Sequence, residues 1–375
     1  MKNIFHNEER IIYVFRIIKK HLKNTKVDRE ANQNVERDMS VIQLPKISKE
    51  LEKEYLADVQ KSYKELLEKL KKSRNDVKKK KTKTEDDKQK REEEYLSEAK
   101  AIVDFLSTEG KLDDDKIKNI LVGRVAHLEK AMATIGPIKS KEIQKEFERV
   151  YTNFSNRNFG HQWAERLGVT VCPYCNRSYI FTVKKDARNG KARPQYDHFF
   201  PKSIYPYLAV SMYNLVPSCA VCNGGKSDVD SFKDKKRRYL NPYVEGYGTK
   251  TVLQITPKKK KDRIHSYVGL AEEYTVKPES APDVDKDAAN RIQNTWDLLK
   301  LGPLYEKHSD YIRNILRAKR IYTEEYLDQL MKSFPGAFDD MDDLKNVVYF
   351  NYLDEEDWGK RILAKLTHDL EVENS

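Results

Sequence analysis

The chain has 375 residues, of which 35% are charged and 38% hydrophobic, a length that as a prior points to two or three domains. No apolar run is long enough to cross a bilayer. The cluster Ile11–Ile18 is hemmed in by His6, Glu8, Glu9, Arg10 and Arg16, which breaks a signal-peptide pattern and reads instead as the first amphipathic helix of a cytoplasmic protein. The net charge of +11 is unevenly placed: Cys172 to His265 carries 19 Lys and Arg against 7 Asp and Glu, so the rest of the chain is close to neutral. A positive excess confined to one segment is the footprint of a phosphate-binding surface.

Residues 1–70 read as helical. Leu51, Tyr55, Val59, Tyr63, Leu66 and Leu70 recur at spacings of three and four, one face of an amphipathic helix. Residues 71–94 lose every large apolar side chain except Val77 and contain the run Lys78–Lys81, and periodicity returns at Tyr95, Leu96, Ala99, Ile102, Val103 and Leu106. The spacing predicts a long helical hairpin with a charged tip. Helices are expected at 113–134 and 138–166, separated by Gly136-Pro137. The segment 167–268 changes character, holding all four cysteines, many Tyr and Pro, and β-prone pieces at Tyr179–Val183 and Thr251–Ile255. Lys277–Asp283, with Pro278 and Pro282, reads as a linker. A helical region follows at 285–332, with Ile292, Trp296, Leu299, Tyr305, Ile312, Ile315 and Leu316 as its apolar stripe, and a last helix is expected over Trp358–Leu370. The layout is mainly α with a small α+β insert: an N-terminal helical region over 1–166, a cysteine-bearing module over 167–275 and a C-terminal helical region over 284–375.

The four cysteines form two knuckles, Cys172-Pro-Tyr-Cys175 and Cys219-Ala-Val-Cys222, separated by 43 residues. Two C-x-x-C pairs with none left over point to a tetrahedral four-thiolate zinc site. Such a site is closed and therefore structural, and metal binding contributes directly to the folding of a loop-rich insert. A thioredoxin-like redox pair or two disulfides are the competing readings.

Between the knuckles lies Gln-Tyr-Asp197-His198-Phe-Phe-Pro-Lys-Ser. Adjacent side chains on a strand point to opposite faces, so the acid and the base cannot simply pair with each other. Asn214 follows in Tyr-Asn-Leu-Val-Pro-Ser-Cys, and Asn223 comes directly after the last cysteine in Cys-Asn-Gly-Gly-Lys-Ser-Asp. Taken in order, C-x-x-C, Asp-His, Asn, then C-x-x-C-Asn-x-x-Lys resembles a zinc-containing HNH endonuclease over roughly residues 167–232. The resemblance implies a ββα-metal core. In it, Asp197 ligates a catalytic divalent ion, His198 is the general base, Asn214 orients the histidine and its loop, and Asn223 is the second protein ligand. The last position is often histidine in that family, so the chain looks like an H-N-N variant. A carboxylate with an amide oxygen favours magnesium or manganese, and Arg193, Lys202 and Lys226 are candidate phosphate contacts.

A looser likeness runs through His198-Phe-Phe-Pro-Lys-Ser-Ile-Tyr-Pro, Asn241-Pro-Tyr and Lys360-Arg-Ile-Leu-Ala-Lys-Leu-Thr-His-Asp. These pieces resemble bacterial HNH proteins encoded beside an ATPase in phage-defence operons of the Septu and retron-associated kind. That likeness implies DNA as substrate, an ATPase partner and a defence role. RNA offers the same backbone chemistry, and long amphipathic helices leave room for self-association. No P-loop occurs in the chain. The alternative is a non-catalytic, zinc-stapled nucleic-acid-binding or scaffold subunit.

Overall fold

The computed structural model describes residues 44, 46–76, 86–156, 159–183, 192–233, 238–259 and 269–372. The expected first helix around Ile11–Ile18 and the Lys78–Lys81 tip lie outside them. Among the described residues the chain is mostly helical, with three two-stranded antiparallel sheets. No described helix is long and apolar enough to cross a membrane.

The predicted stripe builds helix α1 (Lys49–Asp76), which packs against α2 (Asp86–Phe105). Tyr55, Val59, Tyr63, Leu66 and Leu70 are buried on α1, and Ala99, Ile102, Val103 and Leu106 on the returning segment. A short ribbon, β1 (Ser107–Thr108) and β2 (Lys111–Leu112), leads to α3 (Asp114–Leu121) and α4 (Val125–Ile135). These two helices occupy the stretch expected to form one helix over 113–134. The chain turns at Val122–Arg124, where an ideal Cβ on Gly123 would lie 2.1 Å from the Asn119 carbonyl oxygen. Asp113 caps α3 through the amides of Asp115 and Lys116, satisfying donors that the first helical turn leaves open. Gly136 ends α4 at φ 79° ahead of Pro137, as its position predicted. The stretch 138–166 likewise divides, into α5 (Lys141–Asn156) and α6 (Phe159–Leu167).

The cysteine-bearing segment holds β3 (Gln195–His198), β4 (Leu215–Ser218) and α7 (Ala220–Lys226). Beyond it, β5 (Thr251–Pro257) pairs along its whole length with β6 (Tyr274–Ser280). The segment read as a linker at Lys277–Asp283 is therefore largely strand, and β6 as a whole runs across the boundary drawn at 275. Pro278 sits opposite Leu253. In a two-stranded ribbon each strand is an edge, so a proline without an N–H is accommodated.

The C-terminal region comprises α8 (Lys286–Leu298), α9 (Leu301–Glu306), α10 (Ser309–Ile321), α11 (Glu324–Ser333), α12 (Met341–Val348) and α13 (Ala364–Val372). Its predicted stripe is buried from Ile292 to Leu316. The last helix starts six residues later than expected. Leu363 has φ 60°, a conformation no helix contains, and Trp358 is buried in the turns before it.

Candidate functional site

The four cysteines converge. Their sulfurs all lie within 4.8 Å of one another, and the cluster is buried. No disulfide joins them. Three backbone amides point at the sulfurs, Arg177 N to Cys175 Sγ (3.4 Å), Cys219 N to Cys172 Sγ (3.4 Å) and Cys222 N to Cys219 Sγ (3.5 Å). Amide donors of this kind stabilise thiolate charge. The donor set is that of a closed tetrahedral zinc site, so the four cysteines could hold a zinc ion.

The first knuckle also anchors the far end of the chain. Asn176 has φ 46° and is fully buried. Its side-chain amide donates to the carbonyls of Trp358 (3.0 Å) and Arg361 (3.2 Å), and its Oδ1 accepts from Lys365 N (3.0 Å). One side chain thus caps α13 and ties down the turns preceding it. Tyr305 adds a hydrogen bond to the Cys175 carbonyl at 2.7 Å. The sequence reading missed Asn176; its place directly after a knuckle cysteine was the available signal.

From the cluster the chain builds a strand–strand–helix unit. β3 and β4 are antiparallel, with Asp197 opposite Val216 and His198 opposite Leu215, and α7 packs on β3. Cys219 is the N-cap of α7, its sulfur accepting from Cys222 N, so the same residues that would hold zinc also start the helix. Asp197 and His198 point to different surroundings, as strand alternation requires.

Asp197 is buried. Its Oδ2 accepts from the Tyr174 hydroxyl (2.5 Å) and its Oδ1 lies 3.1 Å from the Lys226 ammonium. Burial raises its carboxyl above the ordinary range, against the opposing pull of Lys226 and Tyr174. Lys226 is itself fully buried and donates to the His198 carbonyl at 2.8 Å. It was expected at a phosphate. Its tertiary partner lies on another element, and a buried ammonium takes the nearest carboxylate, so it ties α7 to β3 instead. Breaking a buried pair of this sort leaves an uncompensated charge, at a cost of about 3–5 kcal/mol.

On the other side of the strand, His198 Nε2 meets the Ala209 carbonyl at 2.9 Å, and the Tyr151 ring lies edge-on at 4.6 Å. Burial lowers the His198 pKa to about 3, so at neutral pH the imidazole is uncharged. With its Nε2–H donated to a carbonyl, the remaining Nδ1 carries the lone pair.

Asn214 organises the loop that supplies that carbonyl. Its Oδ1 accepts from Phe200 N (2.7 Å), and its Nδ2 donates to the carbonyls of Phe200 (3.0 Å) and Leu208 (3.1 Å). Helix α1 clamps the same loop from outside, Tyr55 and Tyr63 donating to the carbonyls of Val210 and Tyr207, both at 2.9 Å. Asn214→Ala should cost on the order of 3–5 kcal/mol, since three buried groups lose their partner at about 1–3 kcal/mol each. The check is the denaturant midpoint; a wild-type midpoint would show that the clamp is dispensable.

Asn223 lies on α7 at the partly exposed edge and donates through Nδ2 to Gln195 Oε1 at 2.8 Å. Its Oδ1 is the atom it can offer an ion. Of the remaining basic candidates, Lys202 is paired with both oxygens of Glu148 (2.6 and 2.7 Å) and lies over the Tyr151 ring. Arg193 donates to Ser155 Oγ at 2.7 Å and stacks over Tyr196.

The site thus sets a buried four-cysteine cluster beside two strands and a helix that between them carry Asp197, His198 and Asn223. Over 49 residues, 13% of its length, the chain is 49% identical to the Septu protein PtuB of Bacillus thuringiensis. The match spans 18% of that relative. No protein-family model matches the chain, and no solved structure matches it.

Proposed function

We propose that the protein is an HNH-type endonuclease that hydrolyses phosphodiester bonds of DNA as the cutting subunit of an anti-phage defence complex with an ATPase partner. The observation that carries the reading is the placement of His198, on a strand beside Asp197, with its Nε2 tied to the Ala209 carbonyl and the lone pair left on Nδ1. Phosphodiester hydrolysis needs such a base to take a proton from water. Asn214 holds the loop bearing Ala209, the role expected of the middle residue of the motif. The partial identity to a Septu protein supports the defence context.

Asp197 and Asn223 would hold a magnesium or manganese ion. Their carboxylate and amide oxygens are the hard donors such ions prefer, although the cation beside Asp197 in the described arrangement is the Lys226 ammonium. When bound, the ion would stabilise the charge developing on the phosphate and the leaving oxygen. Gly224 and Gly225 leave open space on α7, which gives a substrate backbone room to approach. Structural zinc in the cysteine cluster is a separate requirement.

The test is incubation of purified protein with plasmid and magnesium or manganese, alone and with an ATPase encoded beside it. Nicked or linear product that disappears with a chelator of the catalytic ion is expected. Intact plasmid under every metal and partner condition, with salt-sensitive binding retained, would favour the non-catalytic binding subunit.

A further inference from the structure

Residues 179–183 run extended between two isolated bridges, Val171 opposite Tyr179 and Val183 opposite Ala192. Alternation along this stretch is regular. Ile180 is buried and Thr182 half-buried, while Tyr179, Phe181 and Val183 are 43%, 52% and 51% exposed. The inward residues account for the packing, so the fold gives no reason for the outward ones to be aromatic. Tyr179 and Phe181 are stacked on each other, centroids 4.7 Å apart and planes within 14°. Two flat rings form a short column with exposed surface, where most aromatic pairs in the chain are tilted or edge-on and buried.

The flanking sequence is cationic. Residues 177–193 carry Arg177, Lys184, Lys185, Arg188, Lys191 and Arg193 against the single acid Asp186. From the C-terminal side, the Thr170 hydroxyl donates to the Gly359 carbonyl while the Thr170 carbonyl accepts from Ile180 N, which brings the Gly359–Arg361 turn beside this strand. Arg361 is exposed, donates to the Phe350 carbonyl at 2.5 Å and lies over the Tyr352 ring at 5.7 Å, and Lys360 is paired with Asp357. Flat aromatic faces amid positive charge are what unpaired bases and their phosphates require, because every base has a π-face.

We infer that the stacked Tyr179–Phe181 pair is a platform on which an unpaired nucleobase continues the column, so that the protein engages single-stranded or locally unpaired nucleic acid. That such a strand is then cut rests on the nuclease reading; that it is bound does not. The Val183–Ala192 bridge joins the platform strand to the segment entering β3, so a strand held there lies along the chain leading to Asp197 and His198.

Binding of a labelled single-stranded oligonucleotide and of its duplex, in chelator so that no cleavage occurs, separates the two readings. The whole chain is compared with Tyr179→Ala/Phe181→Ala and with Tyr179→Trp/Phe181→Trp. The expected result is preference for the single strand, about tenfold or greater weakening in the alanine variant, recovery with tryptophan and an unchanged salt slope. Equal single-strand affinity of wild type and alanine variant, or no single-strand binding by either, overturns the inference, and the platform is then a protein contact. If plasmid is never cleaved but the platform result holds, only the nuclease reading falls.

Discussion

His198→Ala should lower cleavage by a factor of about 10²–10⁴, the usual contribution of a positioned general base. The geometry gives this expectation its content. The ring is fixed by the Ala209 carbonyl on one nitrogen and by the Tyr151 edge, and burial keeps it neutral. Truncating a buried ring also leaves a cavity, so His198→Gln is the sharper comparison, since its amide can still donate toward Ala209 while offering no base. Both variants should retain zinc content, and His198→Gln should keep a thermal midpoint closer to wild type than His198→Ala, which loses ring packing and the Ala209 hydrogen bond. Undiminished cleavage by either purified variant would remove His198 from the chemistry.

The largest effect on stability should come from the cysteine cluster. Cys175→Ser, or stripping the protein with a strong chelator, should cost several kcal/mol of a metal contribution on the order of 10 kcal/mol. The loss should not be confined to the knuckles. Asn176 follows Cys175 directly and holds the turns at Trp358 and Arg361 together with the start of α13. Limited proteolysis should therefore open the region 355–365 along with the cysteine module, while the α1–α2 pair stays protected. Stoichiometric metal analysis and fragment mapping check this; a wild type that folds without metal, with Cys175→Ser equally stable, would show the cluster to be inert.

Much of this arrangement was legible in local pattern. The spacing of Tyr55, Val59 and Tyr63 exposed the buried face of α1, and the paired knuckles exposed the cluster, because both signals lie within a few residues of sequence. The alternation of Asp197 and His198 was equally readable, and their opposite environments follow from it. What stayed hidden depends on partners far along the chain. Lys226 looked like one more basic residue, and only the tertiary structure shows its ammonium against Asp197. Pro278 argued for a linker because a proline weakens any strand pattern; a ribbon of two edges tolerates it. The break in the 113–134 helix and the late start of α13 come down to single backbone positions, Gly123 and Leu363, which apolar periodicity does not register.

The grip of Asn176 on residues 182 to 189 positions further along also imposes an order on synthesis. At about 5–20 residues per second, those partners emerge from a ribosome roughly 10–40 s after Asn176 itself. Once Cys219 and Cys222 have also emerged, both cysteine pairs can be present for the rest of that interval while the buried amide beside them has nothing to bond. The cysteine module therefore reaches its finished form only when residues 358–365 arrive, and a chain cut short before them would carry an incompletely braced module.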